Sequence, residues 1–295
     1  MTSVAVVGPG SVGSFFAAQL SAAGLPVLSC VRRPFDRYVV ESQEAPVDVP
    51  ATTLTDPGLV DGPVRWVLLT VKAHQTEGAR PWLERLCDDG TTVVVVQNGV
   101  EQEERGRSVS GRASVVPGVV YCGAELLGPG HVRHHRHATL LVPLGPDVDE
   151  LVALFADTPC KIRPTEGWLT EAWRKLGANV VANGITALTM RRIEVLADPA
   201  IQELARQILR ECWTVGEAEG AAVSPDDADR LVSGMAGSPG SGGSSMYYDR
   251  LAGRPLEHDA LYGAVVRAGQ RQGIPTPLHE AMSALLEAAA GPPSG

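Results

Sequence analysis

Lys175, Asn179 and Asn183 stand four residues apart in a run that otherwise reads as a buried helix, WRKLGANVVANGITALTM. At about 3.6 residues per turn, positions i, i+4 and i+8 share one stripe of a helix, each roughly 6 Å further along the axis. An ammonium and two carboxamides therefore point the same way among Leu176, Val180, Val181, Ile185 and Leu188. Burying such groups without partners is costly. A wet, ligand-filled cleft removes that cost, and a cation beside amides suits an oxygen that gains negative charge during a reaction.

A second run with chemistry in it opens the chain. Gly8-Pro9-Gly10-Ser11-Val12-Gly13 is GxGxxG between an apolar strand and a helix. The first glycine makes a tight turn, the second admits a pyrophosphate to the backbone, and the third lets helix and strand pack closely. The helix N-terminus then meets the phosphate charge. The bland alternative is a glycine turn with no ligand. At roughly 20 residues further on, an NAD enzyme carries an acid for the ribose hydroxyls. Here the strand ends in Cys30-Val31-Arg32-Arg33. Two guanidiniums and no acid suit a 2′-phosphate, hence NADP(H), unless both are solvated surface arginines.

Lys72 follows the apolar run RWVLLTV, and Asn98 follows TTVVVVQ. In open parallel sheets such strand ends face the ligand crevice, although Asn98-Gly99 is equally a turn signal. Ser245 comes after a glycine-rich loop, where serine caps a helix or donates a hydroxyl to a carboxylate. Glu257 opens a late helix, where an acid ordinarily complements the helix dipole. His131, His134, His135 and His137 form HVRHHRH. Alternation on a strand aligns 131, 135 and 137, but arginines rather than acids lie between them. An exposed hairpin is preferred to a metal site, and no metal is expected.

These residues need a frame. Strands over 3–8, 26–32, 65–72 and 91–100 alternate with helices after Gly10 and over 79–90, the pattern of a parallel sheet covered on both faces. From about 108 to 164 hairpin-forming strands and a last α/β unit follow. Helices are then predicted over 167–190, 198–220, 225–236, from 245, and over 257–272 and 278–290. The fold class is an α/β N-terminal Rossmann-type domain with a mostly parallel sheet, residues 1–165, then an all-α C-terminal domain, residues 166–295.

At 295 residues, 44% apolar and 20% charged, the chain has room for two cores. A net charge of −9 argues against nucleic acid or an anionic membrane as partner. No apolar run reaches the roughly 18 residues of a membrane span, and the N-terminus enters a strand without a secretory signal. The five scattered cysteines read as core residues of a reducing cytoplasm.

Together VVGPGSVG, LLTVKAHQT, VVQNGVEQEE, WRKLGANVVANGITALT and SSMYYDRLAGRPLEHDALYGAVVRAGQRQGIPTP resemble the ketopantoate reductase family, the 2-dehydropantoate 2-reductases. The resemblance implies NADPH and a small-molecule 2-keto acid bound between a Rossmann-type and a helical domain. It places the family's catalytic lysine on Lys175 and its glutamate on Glu257. Its substrate asparagines fall on Asn98, Asn179 and Asn183, its serine on Ser245, its lysine after a strand on Lys72, and its 2′-phosphate arginine on Arg32. Lys72, Asn98 and Glu257 are expected to touch the cofactor as well. Gly184 departs from the family's usual proline, and Gly242, His258 and Tyr262 also depart, near the expected substrate end.

The implied reaction is hydride transfer from NADPH to the C2 carbonyl of ketopantoate, giving pantoate. Lys175 would serve as cation and general acid, and Glu257 would orient it and bind a substrate hydroxyl. The alternatives are a related reductase of another 2-keto or 3-keto acid, motivated by positions 242, 258 and 262, and a non-catalytic NADPH-binding module. The helical half offers a surface on which a homodimer could form.

Overall fold

The computed structural model describes residues 4–44, 46–135, 138–237 and 242–290. The chain divides into two compact units, Met1–Trp168 and Leu169–Gly295. In the first unit the strands are β1 (Val4–Val7), β2 (Val27–Cys30), β3 (Arg37–Glu41), β4 (Val47–Pro50), β5 (Thr52–Leu54), β6 (Trp66–Leu69), β7 (Thr92–Val95), β8 (Ser114–Pro117), β9 (Val119–Tyr121), β10 (Ala124–Gly128), β11 (His131–His134), β12 (Ala138–Pro143) and β13 (Cys160–Thr165). Its helices are α1 (Ser11–Ala22), α2 (Arg80–Leu86), α3 (Gln102–Val109) and α4 (Val148–Leu154).

Six strands pair in the order β5-β2-β1-β6-β7-β8, every neighbour parallel. Strands β1 and β6 are apolar at every position, and β2 and β7 at all but Ser29 and Thr92, because both faces are covered. Val4, Val6, Trp66, Leu68 and Val94 face one core with Phe15, Phe16 and Leu20 of α1. Ala5, Val7, Val67, Leu69, Val93 and Val95 face the other, with Leu83 and Leu86 of α2 and Val109 of α3. Alternation along each strand thus decides which core a residue joins. A second sheet, β10-β11-β3-β4, and a third, β13-β12-β9, complete the unit among the described residues.

The chain's reading as strand and helix holds for β1, β2, β6, β7 and the β12–α4–β13 unit, whose strands pair in parallel. Strands β3 to β5 and helix α3 were not expected. Nor does the histidine run behave as one exposed hairpin: His134 is buried and stacks on Phe15 with ring centroids 4.0 Å apart. His131 and Arg133 pair with Glu41, and His135 with Glu125. His137 lies outside the described residues.

The second unit is helical: α5 (Trp168–Thr189), α6 (Pro199–Ala218), α7 (Ala228–Ala236), α8 (Ser245–Leu251), α9 (Ala264–Gln272) and α10 (Pro277–Ala289). Two glycine–tryptophan contacts seat α5 on α6. A Cβ at Gly216 would stand 2.9 Å from Trp173, and one at Gly177 would stand 2.7 Å from Leu209 and closer still to the Trp213 ring. The absent side chains leave room for both indoles at these positions. No helix among the described residues is long and apolar enough to cross a membrane.

Candidate active site

The first unit presents a glycine turn built as its spacing demands. Gly8 adopts φ +73°, a left-handed conformation that costs a side-chain-bearing residue energy. Its amide donates to the Cys30 carbonyl at 3.0 Å. A Cβ at Gly13 would lie 2.9 Å from Thr70 Cβ, so glycine is needed for α1 to approach β6. Around Gly10, by contrast, a Cβ would meet nothing within 4 Å. Gly10 is also the N-cap of α1, has no side chain to cap it, and no acid stands in the first turn. The amides following Pro9, at Ser11, Val12 and Gly13, therefore keep the positive end of the helix for an anion. That is the fit a dinucleotide pyrophosphate requires.

Arg32 and Arg33 follow β2 after one buried residue, Val31, and are exposed. The loops after β6 and β7, which carry Lys72 and Asn98, are tied together by two residues that the sequence reading passed over. Gln97 donates to the Val71 carbonyl at 3.1 Å and to the Thr76 hydroxyl at 2.9 Å. Arg105 of α3 donates to Gln97 Oε1 at 3.0 Å and to the Asn98 carbonyl at 2.7 Å. Asn98 is half-buried, and Gly99 beside it takes φ +99°, a turn conformation. Thr70 holds the glycine turn from below, donating to the carbonyls of Val7 and Gly8 at 3.1 and 3.0 Å. No sequence signal pointed to Gln97 or Arg105, because α3, which carries Arg105, was itself unforeseen.

In the second unit α5 carries Lys175, Asn179 and Asn183 as its 22-residue run predicts. Their surroundings differ. Lys175 and Asn179 are half-buried, with Ala178 and Ala182 beside them, whereas Asn183 is 3% exposed. Asn183 Oδ1 accepts from the Ser245 hydroxyl and the Met246 amide, each at 3.2 Å. It therefore anchors the start of α8. The cap of that helix is Ser244, which accepts from the Tyr247 amide at 3.1 Å, so Ser245 is released from the capping duty. Asn179 is the opposite case: its Nδ2 is buried and has no hydrogen-bond partner among the described residues. An orphaned amide of this kind costs about 1–3 kcal/mol, which a ligand oxygen would recover.

Glu257 is 5% exposed and stands one residue, His258, before a π-helical turn, Asp259–Gly263, that continues into α9. The loop before it is clamped by Asp249, buried in α8, whose carboxylate takes the Arg254 side chain at 2.8 Å. Of the departing positions, Tyr262 is fully buried and donates to the Val180 carbonyl. Gly242 accepts from the Ile193 amide through its carbonyl. Those two changes act on the scaffold. His258 is different, because its Nδ1 is buried without a partner among the described residues.

A parallel sheet with an uncapped glycine turn at the end of its central strand defines a Rossmann-type dinucleotide-binding unit, here followed by a helical one. The family model "Ketopantoate reductase PanE/ApbA" matches residues 4–146, and "Ketopantoate reductase PanE/ApbA C terminal" matches residues 168–290. The chain belongs to the ketopantoate reductase family. It is 39% identical to the 2-dehydropantoate 2-reductase of Caulobacter vibrioides, across 98% of this chain and all of that protein. The crystal structure of a PanE/ApbA family ketopantoate reductase from Ralstonia eutropha superposes with TM-score 0.89 at 30% identity, covering 98% of both chains. A dimeric ketopantoate reductase from Staphylococcus aureus gives TM-score 0.86 at 27% identity, again over 98% of both.

Proposed function

We propose that this protein reduces 2-dehydropantoate to pantoate with NADPH, residues 1–165 serving the cofactor and residues 166–295 the keto acid and the proton. The observation that carries this reading is the buried Asn179 amide, without a hydrogen-bond partner among the described residues, one turn from Lys175 on α5. It is supported by family membership over both units.

The reduced nicotinamide supplies the hydride. On the protein side, the amides after Pro9 and the open space at Gly10 accept the pyrophosphate, and Arg32 takes the 2′-phosphate. Lys72 and Asn98 serve the nicotinamide end, and Asn98 also the substrate. Lys175 is the cation that stabilises negative charge growing on the C2 oxygen, and it delivers the proton that completes the hydroxyl. Asn179 orients the same oxygen or its neighbours. Asn183 holds Ser245 toward the substrate carboxylate, and Glu257 accepts from a substrate hydroxyl while orienting the lysine and contacting the cofactor. A homodimer is part of the proposal, as for the Staphylococcus aureus relative.

His258 favours a second reading, a reductase of another keto acid, because its buried Nδ1, without a partner among the described residues, asks for a polar group there. A panel decides between them. Loss of reduced-nicotinamide absorbance is followed with ketopantoate, ketoisovalerate, pyruvate and oxaloacetate. We expect kcat/KM for ketopantoate to exceed the others by at least about tenfold, the net scale of one hydrogen bond. A better keto acid in the panel would establish the second reading, and none turned over would sink both.

A further inference from the structure

The middle of α5 is held by a side chain from outside it. Tyr262 is fully buried, and its hydroxyl donates to the carbonyl of Val180, the residue that follows Asn179. Burial pushes this phenol above its ordinary range, and the Gly184 amide, facing the same oxygen, opposes the rise. A Cβ at 184 would stand 2.6 Å from Tyr262 Cζ, closer still to the hydroxyl oxygen, and 2.8 Å from Met282 Cε. The phenol therefore occupies the space of a side chain at 184. Two positions that each depart from the family's pattern prove to be halves of one contact.

Tyr262 belongs to the π-helical turn Asp259–Gly263, a geometry often found at functional sites. That helix starts where Glu257 accepts the Leu261 amide through its own carbonyl at 3.2 Å. The phenol thus joins the turn next to Glu257 to the α5 turn that lies between Asn179 and Asn183. The rest of the ring is locked in place: His279 lies 5.6 Å away by ring centroid, and that imidazole is fixed by Glu211 at 2.7 Å.

We propose that Tyr262, with Gly184 opposite it, is a positioning residue that sets the Glu257 helix against the Lys175–Asn179–Asn183 stripe. This rests on the reductase reading above. Tyr262→Phe keeps the ring and deletes the hydroxyl. In a folded variant kcat for ketopantoate falls about tenfold while KM and the NADPH Kd stay within about threefold, because misplaced acid and orienting groups weaken the transition state selectively. Unchanged kcat overturns the proposal. Gly184→Ala forces a methyl into the phenol, and Gly184→Ala/Tyr262→Leu vacates that space. The double variant recovers at least about threefold of the kcat that Gly184→Ala loses, as coupled neighbours do, and no recovery contradicts the pairing.

Amide hydrogen exchange over residues 176–188 reads the interlock without turnover. Tyr262→Phe speeds exchange there by about tenfold, and unchanged protection overturns the interlock in any enzyme, active or not. A wild type inert toward every keto acid would overturn the positioning role together with the reductase reading. Faster exchange would then still establish the interlock, so the two failures are told apart.

Discussion

Two asparagines on one helical stripe have opposite energetic standing, and that difference is measurable. Asn183 is spent on Ser245 and Met246. Asn183→Ala strands the buried Met246 amide and is expected to cost about 2 kcal/mol of stability, read as a lower urea midpoint. Asn179 holds a buried donor with no partner among the described residues. Asn179→Ala should therefore leave the midpoint unchanged or raise it, while KM for the keto acid rises about tenfold. A loss of stability equal to that of Asn183→Ala would show that Asn179 is structural. At the other end of the chain, exposed Arg32 is assigned the 2′-phosphate. Arg32→Ala is expected to weaken NADPH by about tenfold or more and NADH by less than about twofold, because only NADPH carries the phosphate that a guanidinium can grip with charge-assisted hydrogen bonds. Equal losses, measured by cofactor fluorescence titration, would reject the assignment. The spacing of 175, 179 and 183 was legible in the sequence because helical period alone aligns them. Their division of labour was not, since it depends on what α8 brings to Asn183.

Helix ends show how the second unit is assembled. The N-cap of α10, Thr276, makes no side-chain cap. Instead Glu211 of α6 accepts the Leu278 and His279 amides at 3.2 and 2.9 Å, together with the His279 ring. Burial pushes the Glu211 carboxyl up, but those three hydrogen bonds outweigh it and hold the group below the ordinary carboxylate range. A carboxyl depressed in the folded state contributes stability above its unfolded pKa and loses it as pH falls through the folded one. Glu211→Gln should therefore lower stability at neutral pH by about 2 kcal/mol and flatten its decline below about pH 4.5. Parallel acid limbs for wild type and variant in urea unfolding would contradict this. The elements that escaped sequence reading did so for physical reasons. Strands β3 and β4 border a sheet whose third partner, β11, lies some ninety residues on, Val39 pairing with His131, and no local pattern announces such a pairing. Helix α3, QEERGRSV, is polar and carries a glycine in its interior. There a Cβ on Gly106 would stand 2.7 Å from Val115 and Val95. Packing, not propensity, makes it a helix.

Across the whole molecule a net charge of −9 has to coexist with two anionic ligands in the proposed reaction. The charges that matter are local: an uncapped helix start, Arg32 and Arg33 after β2, and Lys175 on α5. The apolar runs of β1, β6 and β7 and the long α5 carried most of the fold class in the sequence, because each is buried along its full length or along one face. Supports of the candidate site were hidden, since Gln97 reaches Val71 and Thr76, and Tyr262 reaches Val180, across elements distant in sequence. The proposed chemistry turns on the lysine of α5. Its most direct test is the turnover of Lys175→Ala with NADPH and ketopantoate at saturation, beside its NADPH affinity. We expect kcat to fall by about a hundredfold or more, with cofactor affinity within about twofold, the scale set by removing both an acid and a charge from the reacting oxygen. A turnover number near that of the wild type would contradict the role given to Lys175 and, with it, the proposed reaction.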